Sequence, residues 1–89
     1  MARPDLSLHG VQESAAEGGA PDALLQLGLM YCVGRDVDRY LVEAHKWFNL
    51  AALRGNLDAR QYRVEIAREM SKTDIFRAQR LAREWMTTH

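Results

Sequence analysis

Gly19-Ala20-Pro21-Asp22-Ala23-Leu24-Leu25-Gln26-Leu27-Gly28-Leu29-Met30-Tyr31, followed by Glu43-Ala44-His45-Lys46-Trp47-Phe48-Asn49-Leu50-Ala51-Ala52-Leu53-Arg54-Gly55, decides the fold of this chain. In the first stretch Ala23, Leu24, Leu27, Gly28, Met30 and Tyr31 fall on one face when successive residues turn by about 100°. In the second, Ala44, Trp47, Phe48, Ala51 and Ala52 form an i, i+3, i+4, i+7, i+8 stripe. Pro21 suits the first turn of a helix, and Gly34 and Gly55 stand where helices stop. The spacing therefore predicts one helix from Asp22 to Tyr31 and another from Leu41 to Leu53. Two more follow: Leu57 to Met70, then one capped by Ser71 with Asp74 in its first turn and Ile75, Ala78, Leu81, Ala82 and Trp85 on its apolar face. Leu8 to Glu17 reads as the remnant of a preceding helix, weakened by Gly10. No stretch of useful length alternates with period two, so the chain reads as all-α.

The stretches also repeat. Ala15-Ala16-Glu17-Gly18-Gly19 returns as Ala51-Ala52-Leu53-Arg54-Gly55, an offset of 36 residues (15 to 51). Glu43-Ala44-His45-Lys46-Trp47 faces Arg77-Ala78-Gln79-Arg80-Leu81 at an offset of 34 (44 to 78). A period in the mid-thirties belongs to solenoids built from two-helix units.

With those residues in view, the chain resembles a Sel1-like repeat, a relative of the tetratricopeptide repeat. The matching features are Ala23 to Tyr31 of the first helix (Ala-x-x-x-Leu-Gly-x-x-Tyr), the loop Gly34, and Ala44-x-x-Trp47-Phe48 of the second. Ala51-Ala52-x-x-Gly55 closes the unit. The resemblance implies a short right-handed α/α solenoid of antiparallel helix pairs, about four helices plus the N-terminal remnant. Residues 1–18 would form a tail and remnant helix, 19–55 one repeat, and 56–89 a degenerate second repeat acting as a C-terminal cap. Ala23, Leu27, Gly28, Tyr31, Gly34, Ala44, Trp47, Phe48, Ala51, Ala52 and Gly55 are then structural positions. Two departures stand out: Asp36 takes the place of a second loop glycine, and Tyr40 that of an acidic residue at the start of the second helix. The second copy diverges more, with Arg63-Val64 for Leu27-Gly28 and Ala67 for Tyr31.

Composition bounds the function. The 89 residues carry 12 Lys+Arg and 12 Asp+Glu, a formal net charge of +0. Zero net charge removes the long-range attraction that drives non-specific nucleic-acid binding. A single cysteine, Cys32, excludes an internal disulfide framework and fits a reducing cytoplasm. No apolar run reaches the roughly 20 residues a membrane span requires, and none resembles a signal-peptide core. Cys32, His9, His45 and His89 show no metal-ligand spacing, and no nucleophile elbow or phosphate-binding glycine loop occurs. The expectation is therefore no catalytic, cofactor or metal site, and no membrane or nucleic-acid partner. Secreted relatives linked to penicillin-type ligands carry paired cysteines that this chain lacks, so that activity is not carried over.

The functional expectation is a non-enzymatic scaffold or adaptor that binds a partner protein. In helical-pair solenoids the first helices line the concave binding surface. Leu25 and Leu29 lie off the apolar stripe, which alone leaves them exposed, whereas their counterparts one repeat later are Gln61 and Glu65. With Gln26 they are the candidate partner contacts, unless the remnant helix folds over them. The first alternative is self-association by end-to-end stacking into homo-oligomers, since about three repeats are normally needed for stability. A further alternative is a small all-α enzyme or ligand-binding protein. Charge divides weakly along the chain, acidic before Asn56 and basic after it, and so could orient a partner or a second copy.

Overall fold

The computed structural model describes residues 16–89, which hold four helices: α1 (Pro21–Val33), α2 (Leu41–Leu53), α3 (Leu57–Ala67) and α4 (Lys72–Thr88). No strand occurs among them. The fold is all-α, as the periodicity predicts. Ala16 and Glu17 are helical, whereas the rest of the expected remnant helix, with Gly10 and His9, lies outside the described residues.

The helix ends follow from local chemistry. Gly19 at φ 80° turns the chain before Pro21 opens α1. Gly34 closes α1 in the left-handed region (φ 79°, ψ 33°), its amide and that of Arg35 both donating to the Met30 carbonyl. Asp36 also takes a positive φ, 63°, in the loop position where the resemblance leads one to expect glycine. Tyr40 precedes α2 in extended conformation and makes no side-chain cap. Asn56 Oδ1 accepts the Ala59 amide at 3.0 Å and starts α3, while its Nδ2 donates to Asp22 Oδ1. Ser71 Oγ accepts the Asp74 amide at 3.1 Å, the cap the sequence predicts for α4.

One boundary moves. The spacing predicts a third helix as far as Met70, but it stops at Ala67. The amides of Arg68, Glu69 and Met70 donate three residues back, to Glu65, Ile66 and Ala67, so the chain tightens into single turns there.

Helix α2 is the hub, and α1, α3 and α4 each pack chiefly against it. Leu24 and Leu27 of α1 and Val42, Phe48 and Leu50 of α2 are the largest fully buried side chains. Each such burial contributes about 1.5–3 kcal/mol. Ala44 and Ala51 are fully buried on α2, and Ala78 and Ala82 are buried on α4. Small residues at a helix seam shorten the distance between axes. Ala52, Tyr31, Ile75, Leu81 and Trp85 are half-buried around this core.

The second half does not mirror the first. A repeat would pair α3 closely with α4, yet both lean on α2 far more than on each other. The cause is the thin apolar face of α3, where only Ala59 and Ile66 are buried. Arg63-Val64 replaces the Leu27-Gly28 that lets α1 approach its partner, so α4 finds its apolar cover on α2 instead. Arg68, Glu69, Arg77, Arg80, Arg83 and Glu84 are all exposed. No helix among the described residues is long and apolar enough to cross a membrane.

Candidate functional site

Phe48 organises the surface that carries the candidate residues. Its ring is fully buried on α2, and a Cβ placed on Gly28 of α1 would stand 2.4 Å from two of its ring atoms. Only glycine admits that approach. The ring also stacks against Tyr62 of α3, with centroids 5.4 Å apart and planes inclined by 21°. Phe48 is thus held between α1 and α3, with Ala44 and Ile66 completing a small buried cluster.

Leu25 and Leu29 flank Gly28 and pack against this cluster. Both are half-buried, rather than standing clear as the stripe alone implies. They pack against the same Ala44, Phe48 and Ile66 cluster that Gly28 lets α1 approach. Gln26, the third candidate, is exposed on α1. The counterparts on α3 are exposed, with Gln61 Nε2 donating to Glu65 Oε1 at 3.1 Å. Tyr62, 37% exposed, reaches the same cluster through its stacking on Phe48. The sequence held a signal for it only in hindsight, an aromatic on the sparse third helix.

Charged groups close the surface at the α1–α2 loop. Arg39 Nε donates to the Cys32 carbonyl at 2.9 Å, and its Nη2 lies 3.4 Å from Glu69 Oε1. Burial pushes the Cys32 thiol up; Arg39 opposes that effect, and Glu69 and Glu65 add to it. The half-buried thiol is therefore protonated near neutrality and a poor nucleophile. His45 is 3% exposed, and burial, reinforced by the nearby Arg63, lowers its pKa from 6.5. Arg63 itself donates to Asn49 Oδ1.

A second concavity, about 280 Å³, is lined by Glu17, Tyr31, Glu43, Lys46, Trp47, Trp85 and His89. Lys46 Nζ already occupies the face of Trp47, 4.0 Å from the ring centre, and lies 3.1 Å from Glu43 Oε2. Trp85 meets Trp47 edge to face at 5.9 Å, and His89 stacks on Trp85 at 4.2 Å. The cation seat is filled from within the chain, and the corner acts as a clasp between α2 and α4.

Among the described residues, no three of His, Cys, Asp and Glu gather where they could hold one metal ion. The structural positions read from the sequence come together: Ala23, Leu27, Gly28, Trp47, Phe48, Ala44 and Ala51 are buried, and Tyr31, Ala52 and Gly34 are half-buried. Gly55 takes φ 105° at the end of α2. No family model matches the chain, and no curated protein matches it significantly.

Proposed function

We propose that this chain is a non-enzymatic protein-interaction module, a short Sel1-like helical scaffold that binds a partner protein where α1 and α3 flank Phe48. Residues 19–55 act as the complete unit and 56–89 as its cap. The observation that supports this reading is the wedge of Phe48 between Gly28 and Tyr62. It fixes Leu25, Leu29 and Tyr62 as a partly uncovered apolar strip, with Gln26, Gln61 and Glu65 exposed as polar neighbours. An apolar centre with a polar rim is the anatomy of protein interfaces, and leucine and tyrosine on a rigid base lose little freedom on binding.

A photo-crosslinking side chain at position 26 tests it. Capture of a defined partner should vanish in the Leu25→Gln/Leu29→Gln variant. It should also weaken in Tyr62→Ser, whose melting temperature reports whether packing was lost instead. Undiminished capture in both variants rejects the surface. Sedimentation at micromolar concentration addresses the end-to-end alternative, which a folded monomer excludes.

A further inference from the structure

The outward face of α4 carries an arrangement that the α1–α3 surface does not use. Thr73, Phe76, Arg77, Arg80 and Arg83 line a depression of about 420 Å³. At 100° per residue they occupy about 120° of the helix circumference. Ala78 and Ala82, 0% and 1% exposed, lie on the opposite side and anchor α4 to the core. Phe76 is 68% exposed, at the N-terminal end of a cationic strip.

The guanidinium groups are only loosely engaged. Arg77 Nη1 lies 3.9 Å from Asp74 Oδ1, and Arg80 Nε lies 3.8 Å from Glu84 Oε2. All four side chains of these pairs are 44% exposed or more, so the pairs are solvated and weak. Arg83 makes no ion pair or hydrogen bond among the described residues. Most of the donors are therefore available for bidentate contact with carboxylates.

We propose that this face of α4 docks a short acidic segment of a partner protein, with Phe76 as its apolar anchor and Arg77, Arg80 and Arg83 as its carboxylate clamps. The strip's dimensions favour that occupant. Arg77 to Arg83 spans about 9 Å of helix, the reach of about three extended residues. Asp74 and Glu84 stand beyond either end, where a phosphate backbone or an anionic bilayer continuing past the arginines would meet like charge. The zero net charge of the chain gives such polyanions no long-range pull. An acidic segment with one large apolar side chain matches both the charge and the exposed ring.

The test uses a fluorescein-labelled peptide, Gly-Asp-Leu-Asp-Gly, titrated with the whole chain and followed by anisotropy. Binding should weaken at least tenfold in Arg80→Gln/Arg83→Gln, several-fold in Phe76→Ala, and several-fold between 50 and 200 mM salt. All three side chains are exposed, so circular dichroism and melting should be unchanged in these variants. A Gly-Asn-Leu-Asn-Gly control should not bind. The proposal is overturned if the acidic peptide fails to bind, or binds the double variant equally well. It is equally overturned if oligothymidylate or phosphatidylserine vesicles bind this face more tightly than the peptide. Self-association abolished by Arg80→Gln/Arg83→Gln would assign the face to a second copy and overturn it as well.

Discussion

Phe48 fills the space where a side chain at position 28 would begin, with ring atoms 2.4 Å from an ideal Cβ on Gly28. Gly28→Ala should therefore destabilise the fold although alanine is the better helix former. Overpacking costs about 1–3 kcal/mol, and the propensity gain returns only about 1. The expected net loss is up to about 2 kcal/mol in urea denaturation. Phe48→Leu should reduce that loss in the double variant. Additive losses would mean that the ring is not what excludes the side chain.

Trp85 holds α4 to α2 through its edge-to-face contact with Trp47, and Arg54 lies 5.9 Å from its ring centre. Trp85→Phe should keep much of the packing, whereas Trp85→Ala should cost about 2 kcal/mol, combining lost aromatic pairing and lost burial. The chain has only two tryptophans, so the Ala variant leaves Trp47 as sole reporter. Its emission should shift to the red as water reaches the ring. An unshifted spectrum with unchanged melting would show that the Trp47–Trp85 contact does not hold α4.

Asp36 sits at φ 63° and is exposed. Left-handed backbone strains any L side chain, least for Asn and Asp and most for β-branched residues. Asp36→Gly should be neutral or slightly stabilising, its strain relief offset by greater freedom in the unfolded chain. Asp36→Val should lower the melting temperature by about 5 °C or more, equivalent to roughly 1 kcal/mol for a domain of this size. Equal melting of the Gly and Val variants would mean that the loop relaxes out of this conformation.

The elements most legible in the sequence were those whose signals are local. Ser71 with Asp74, Gly34 after Met30, and Pro21 at a first turn each act within four residues, and each appears where the sequence placed it. The stripes of α1 and α2 likewise announce their buried faces. What the stripes could not convey is how closely two faces meet. Gly28 reads as a seam position, but the stripe does not show that Leu25 and Leu29 pack against the Ala44, Phe48 and Ile66 cluster. Tyr62 was missed because its role exists only through a ring on another helix. The swing of α4 onto α2 was hidden for the same reason. The repeat offset speaks only to sequence pattern, whereas the helix that α4 packs on depends on the bare flank of α3.

His45 gives the fold a pH dependence whose sign can be worked out. The ring is 3% exposed, its Nδ1 has no hydrogen-bond partner among the described residues, and burial followed by the Arg63 charge lowers its pKa below 6.5. Between that lowered value and 6.5, the unfolded chain binds a proton that the folded chain refuses. Stability should therefore be full above pH 6.5 and fall as the pH drops through it, by at most about 1.4 kcal/mol per pH unit. Urea denaturation from pH 5 to 8 measures the slope. His45→Leu should flatten it relative to the parent. Arg63→Gln should leave the onset in place and reduce the total loss, because one cation no longer repels the imidazolium and the folded pKa rises toward 6.5. A slope unchanged by His45→Leu would place the titrating group elsewhere in the chain.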